Sequence, residues 1–225
     1  MPEQIAFRRI EAYMEPVPLF TQAQYVVETI GIIAFALAGI VQAARQNLDA
    51  IGVCAVAGLT AFGGGTLRDL LLDRRPFFWV ENPELLWLIF ALAILSISFM
   101  RTRHMALTQR AVLIPDAVGL GLFCATGTQL AIAMEMPPLI AVLMGVISAI
   151  FGSVLRDIVC NEIPQVFADH QPYALCAFLG GWVLIGLTWM QLPGWFALVG
   201  AATFAALLRL LALWFDWRIP QWRME

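Results

Sequence analysis

Lysine is absent from this 225-residue chain; all 13 basic residues are arginine. Charge of either sign is scarce, 13% of residues against the roughly 25% of an ordinary soluble domain. Histidine occurs only at His104 and His170, and cysteine only at Cys54, Cys124, Cys160 and Cys176, with no CxxC pair. Each scarcity excludes a class. With no basic patch gathered on one face there is no nucleic-acid footprint. Without paired cysteines or histidines there is no metal site and no disulfide framework, and the four lone thiols read as small buried hydrophobes. Without lysine, the glycine-rich stretch at 63–65 is not a phosphate-binding loop, and nothing else points to a cofactor. Without a histidine inside an apolar run or a GxSxG elbow, Ser153 has no base to make it a nucleophile, so no enzyme is expected.

What fills the chain is apolar: 61% hydrophobic residues and a mean hydropathy of +0.81. That is about 137 residues, close to the roughly 140 that seven spans of about 20 require. Runs long enough to cross the hydrocarbon fall at Tyr25–Ala44, Ala50–Leu72, Leu85–Met100, Val112–Met134, Leu139–Cys160, Tyr173–Met190 and Trp195–Phe215. The segment 1–24 is long and net negative, with Glu3, Glu11 and Glu15 against Arg8 and Arg9, so the first run is a retained span and not a signal peptide. The loop after the third span carries Arg101, Arg103 and Arg110, and the loop after the fourth only Glu135. That asymmetry places the N-terminus outside the inner (plasma) membrane and the tail at 216–225, with Arg218 and Arg223, in the cytoplasm. Most of the eight tryptophans lie near span ends, as an interfacial belt requires.

The chain also repeats itself. Gly64-Gly65-Thr66-Leu67-Arg68-Asp69 returns as Gly152-Ser153-Val154-Leu155-Arg156-Asp157, an offset of 88. The same offset relates Gly31 to Gly119, Phe35 to Phe123, Gly39 to Gly127, Pro76 to Pro164 and Glu28 to Asp116. The copies, 25–105 and 112–190, hold three spans each, so the second enters the membrane from the opposite side. The expected fold is an all-α integral membrane protein of seven transmembrane helices: two inverted three-helix repeats and a seventh helix at 195–215. In such proteins the solute path lies between the copies.

Two features place the path. Gly63-Gly64-Gly65 disfavours helix by about 1 kcal/mol per residue, and a break inside a membrane is tolerated where it lines a cavity; Gly152 marks the corresponding point. Arg68, Asp69, Arg156 and Asp157 are costly inside a span and face a bundle interior or an aqueous cavity. Neighbours on a helix point about 100° apart, so Arg68 and Asp69 are not obliged to neutralise each other. Glu28 and Asp116 read as N-terminal helix acids with a secondary vestibule role. Gln42 and Gln129 face a pore or a neighbouring helix, and Arg209 snorkels.

These motifs resemble a known family. Phe62-Gly63-Gly64-Gly65-Thr66-Leu67-Arg68-Asp69, with Pro76 and Phe78-Trp79-Val80-Glu81-Asn82-Pro83, is similar to the bacterial relatives of trimeric intracellular cation (TRIC) channels, a family also called glycine transporter domain proteins (UPF0126). Pro115-Asp116-Ala117-Val118-Gly119-Leu120, Leu155-Arg156-Asp157-Ile158-Val159 and Glu162-Ile163-Pro164 resemble its second copy. The resemblance implies a homotrimer in lipid, with a pore in each protomer around kinked second and fifth helices. It also implies permeation by potassium and other monovalent cations; the alternative it carries is transport of glycine or a similar small zwitterion. Where relatives have Gly-Gly-Gly in the second copy, this chain has Phe151-Gly152-Ser153.

Overall fold

The computed structural model describes residues 19–103, 109–168 and 171–218. Residues 1–18, with Arg8 and Arg9, lie outside the described residues, as do His104, His170, Trp222 and Arg223. Among the described residues every regular element is a helix: α1 (Leu19–Arg45), α2 (Ala50–Leu71), short α3 (Phe78–Glu81), α4 (Glu84–Arg103), α5 (Gln109–Ala133), α6 (Pro138–Val159), short α7 (Gln165–Ala168), α8 (Tyr173–Trp189) and α9 (Gly194–Trp214). By length and composition α1, α2, α5, α6 and α9 can each cross a membrane, and the apolar segments Glu84–Ser98 and Tyr173–Trp189 are shorter.

Local chemistry explains where the helices start and stop. Asp49 caps α2 by accepting the Gly52 N–H at 2.7 Å. Pro137, Pro172 and Pro193 precede α6, α8 and α9. Helix ends are left-handed turns at Asn47, Asp73, Glu135, Asn161, Gln191 and Asp216, with φ between 50° and 59°. The next residue's N–H then returns five residues back, as in Leu48 to Ala43 (3.1 Å), Arg74 to Asp69 (2.8 Å) and Glu162 to Asp157 (2.8 Å). No described glycine has positive φ. Glycine here serves helix contact, not turns.

The offset of 88 is written into these boundaries. Helices α2 and α6 begin at 50 and 138 and end at 71 and 159, and α1 and α5 end at 45 and 133. The contacts between copies are reciprocal under the same offset. A Cβ on Gly64 would lie 2.0 Å from the Ser148 carbonyl oxygen, and one on Gly152 would lie 2.2 Å from that of Thr60. Numbers rise along α2 as they fall along α6, so the two helices cross antiparallel. Between α1 and α5 the Phe35 and Phe123 rings stack with centroids 5.1 Å apart. The Phe123 ring lies over Gly31, and the Phe35 ring over Gly119.

Helices α1, α2, α5 and α6 form the centre; α4 packs on α1 and α2, and α8 on α5 and α6. Helix α9 breaks this balance by packing on α5 and α8. Its seat is cut by Gly121, whose Cβ would meet Ala202 O at 2.3 Å, and by Gly180, whose Cβ would meet Ala205 Cβ at 2.6 Å. In the first copy those positions hold Ile33 and Leu92, which fill such a seat.

The expected helix breaks do not occur. Helix α2 runs unbroken through Gly63–Gly65, and α6 through Gly152. Three glycines cost about 3 kcal/mol of propensity, yet every backbone group left unpaired in an apolar setting costs several. The missing side chains instead admit a carbonyl of the opposing helix.

Candidate functional site

Two buried charge clusters occupy equivalent places. In the first, Arg68 Nη2 donates to Glu28 Oε1 at 2.7 Å and Arg68 Nε donates to Asp69 Oδ1 at 2.9 Å. In the second, Arg156 Nη1 donates to Asp116 Oδ1 at 2.6 Å and Arg156 Nε to Asp157 Oδ1 at 2.8 Å. Both guanidinium groups are fully buried, and their partners are at most 2% exposed. The arginines sit in the last turn of α2 and α6, where a helix favours a cation. The other oxygen of each Asp holds the start of a short helix: Asp69 Oδ2 accepts the Phe78 N–H at 3.2 Å, and Asp157 Oδ2 the Gln165 N–H at 3.0 Å.

Arg68 and Asp69, free by helix geometry to take different partners, are bonded to each other, as are Arg156 and Asp157, and each arginine also takes an acid from the preceding long helix. Two expectations are corrected here. Glu28 and Asp116 are not N-terminal acids; α1 starts at Leu19 and α5 at Gln109, and both carboxylates lie deep enough to meet an arginine 40 residues on. No ion pair among the described residues joins one cluster to the other; each ties helices within one copy. Arg209 does not snorkel. It is 1% exposed, donates to Gln171 Oε1 at 3.0 Å and lies 4.8 Å from the centre of the Tyr173 ring.

The remaining polar residues are hydrogen-bonded within the helix bundle. Ser153 Oγ donates to Ile150 O at 2.8 Å and accepts from the Tyr173 hydroxyl at 3.1 Å. Gln42 accepts from Arg45 on its own helix at 3.2 Å, and Gln129 reaches Gly194 O at 3.4 Å, tying α5 to α9. Cys124, Cys160 and Cys176 are buried and Cys54 half-buried. Trp87, Trp189, Trp195 and Trp214 are exposed, the last by 85%.

The surroundings of the two clusters differ. Arg74 lies 3.9 Å from Asp69 and 3.5 Å from Glu81. Its counterpart in the second copy is Glu162, which accepts from Gln46. A cavity of about 630 Å³ between α1 and the segment around α3 reaches Glu28 and Arg74 past Tyr25 and Phe78. A second space of only about 10 Å³, room for one water-sized particle, lies beyond it against Glu28, Gly65, Asp69 and Phe123. Through Phe62, Thr66 and Trp79 it adjoins a third of about 380 Å³ that touches Gly63 and Phe151. Glu28 Oε2 and Arg68 Nη1 are buried without a hydrogen-bond partner among the described residues.

Sequence reasoning missed Arg74, Phe78, Gln165 and Tyr173. It also missed the pairing of Glu28 with Arg68, although an acid 40 residues before an arginine in both copies was a readable signal.

Comparison with known proteins agrees with this architecture. The family model described as "Glycine transporter" matches the chain twice, at residues 25–101 and 113–189, again 88 apart and together more than half its length. The UPF0126 membrane protein of Vibrio cholerae is 35% identical over 163 residues, 72% of this chain and 67% of that one. The UPF0126 inner membrane protein YadS of Escherichia coli K12 is 36% identical over 157 residues, 70% of this chain and 75% of that one. Among solved structures, the TRIC trimeric intracellular cation channel orthologue from Rhodobacter sphaeroides superposes with a TM-score of 0.80 at 33% identity, covering 86% of this chain and 98% of that one. A prokaryotic TRIC channel in 0.5 M KCl gives 0.81 at 28% identity, covering 87% and 98%.

Proposed function

Because this chain belongs to the UPF0126 family of bacterial multi-pass membrane proteins, described by its family model as a glycine transporter, we propose that it is a channel for monovalent cations, potassium foremost. It works as a homotrimer with one path per protomer, as the likeness to trimeric TRIC cation channels supports. The path runs through seven spans arranged as two inverted repeats, with the N-terminus outside and the C-terminus in the cytoplasm. The reciprocal antiparallel contacts of α2 with α6 and of α1 with α5 support the inverted repeats.

One observation carries the cation reading: each buried arginine is held by two carboxylates. A bare arginine in a pore repels cations. Here each guanidinium faces two acids, so a cation near it meets carboxylate and not a bare arginine, and Glu28 Oε2 is free beside the cavities. Arg74 supports a second reading, since it lines the same cavity as Glu28. An amino acid's carboxylate and ammonium groups match that pair.

Purified protein in proteoliposomes tests both. Under a potassium gradient, a potential-sensitive dye should report rapid polarisation that glycine does not alter, and Glu28→Gln should reduce it. Saturable uptake of labelled glycine without potassium conductance would overturn the channel reading and make Glu28 and Arg74 substrate ligands.

A further inference from the structure

The two copies share their charges but not the packing beside them. In the first, Gly65 stands one turn from Arg68, and a Cβ built there would make only ordinary contacts, with Phe123 at 3.6 Å and with Arg68 Nη2 and Glu28 Oε1 at 3.8 Å, beside the space of about 10 Å³. The first-copy counterpart of Tyr173 is Leu85, apolar and 2% exposed. In the second copy the equivalents are Ser153 and Tyr173. Both are buried, and they are hydrogen-bonded to each other. Tyr173 is held from two sides: Ser153 of α6 accepts from its hydroxyl, and the Arg209 guanidinium of α9 lies over its ring, itself held in place by Gln171 just before α8. A cation over an aromatic face is attractive, more so out of water.

We infer that Tyr173 is the gate of the second half of the path: it closes the space beside the Arg156 cluster, Ser153 latches it and Arg209 positions it. This rests on the transport reading above. Opening requires the ring to leave Ser153, which breaks one hydrogen bond and uncovers the Arg156 cluster. The seventh helix, outside the repeat, thereby acquires a task, since Arg209 is the group it delivers to the gate.

Two readouts test this on the full-length protein. In potassium flux, Tyr173→Phe keeps the packed ring and removes only the latch, and Ser153→Gly installs the first-copy residue. Each should raise flux about threefold to tenfold, the equilibrium shift that one hydrogen bond commands. In thiol labelling, Ser153→Cys is placed in a background with the native cysteines replaced by alanine, and a small methanethiosulfonate reagent is added with and without Tyr173→Leu. Labelling should accelerate by a similar factor. A parallel protein keeping only Cys124, which is fully buried, should label no faster, since general loosening would expose both. Conduction by the parent with no change in flux or labelling in the variants overturns the gate and leaves the channel reading standing. Faster labelling at 153 with no potassium flux in any protein keeps the gate and overturns potassium as the solute. Acceleration at Cys124 as well overturns the gate in favour of a packing role.

Discussion

Replacing Gly64 with alanine should destabilise the protein, and replacing its neighbour Gly65 should not. The Cβ added at Gly64 lies 2.0 Å from the Ser148 carbonyl oxygen. A carbon and a carbonyl oxygen settle at about 3.3–3.6 Å, so α2 and α6 would have to part by more than 1 Å at their crossing, roughly. The obstructing atom is backbone and cannot rotate away. Overpacking of this kind costs about 1–3 kcal/mol, here towards the upper end. Alanine returns about 1 kcal/mol of helix propensity, leaving a net loss of about 2 kcal/mol. For a chain of this size that lowers the unfolding midpoint by about 4–8 °C. At Gly65 the nearest atom is 3.6 Å away, so only the propensity gain remains and the midpoint should rise by about 2–4 °C. At Gly63 the obstacle is the Leu155 Cδ1 methyl at 2.8 Å, which can turn aside, and the two effects should nearly cancel. Thermal unfolding of the purified variants in detergent, followed by tryptophan fluorescence, measures all three. If Gly64→Ala and Gly65→Ala raise the midpoint equally, the glycine run is a weak point in the helix and not a seat for α6, and the packing argument fails.

Two further outcomes follow from the same contacts. Arg68→Ala or Arg156→Ala strands two buried carboxylates, and removing one member of a buried pair costs about 3–5 kcal/mol; yield and thermal midpoint in detergent should collapse, and a normal midpoint would show that the clusters are not structural. Gly121→Ile installs the first-copy residue against Ala202 O, where even a Cβ comes within 2.3 Å. It should unseat α9 at a cost of about 1–3 kcal/mol, visible as faster proteolysis near residues 191–194 than in the parent.

The sequence was most legible where its signal was repeated. The offset of 88 read from Gly64-Gly65-Thr66-Leu67-Arg68-Asp69 and its copy reappears in helix ends, left-handed turns and the Phe35–Phe123 stack, because each is a backbone or packing event that recurs with its residues. Propensity was the poorer guide. Glycine's cost in a helix is measured in water, where freed backbone groups find other partners; among apolar helices they do not, so α2 stays whole through Gly63–Gly65. Glu28 and Asp116 were read from their place near the predicted span starts, and α1 in fact begins earlier, at Leu19. Tyr173 and Arg209 were illegible for another reason: their meeting joins α8 to α9, and no spacing within the chain encodes it.

Symmetry and its loss divide the work of the molecule. Contacts that exchange under the offset, such as Gly64 with Ser148 and Gly152 with Thr60, are satisfied twice by one solution and set the frame. The charge clusters obey the same rule, each setting two carboxylates around one buried guanidinium. What departs from it is gathered around the second cluster. Glu162 stands where Arg74 does in the first copy, Ser153 where Gly65 does, and Tyr173 where Leu85 does. Helix α9 adds Arg209 on that side, through a seat that Gly121 and Gly180 open and that Ile33 and Leu92 close in the first copy. A perfectly symmetric pair of clusters would present the same barrier from both faces of the membrane. On the path proposed above, with Arg74 beside the first cluster and Glu162 in its place in the second copy, a permeating cation would meet different fields on entry and exit. Current through the channel should therefore rectify, and Arg74→Glu should weaken that rectification in bilayer recordings with equal potassium on both sides.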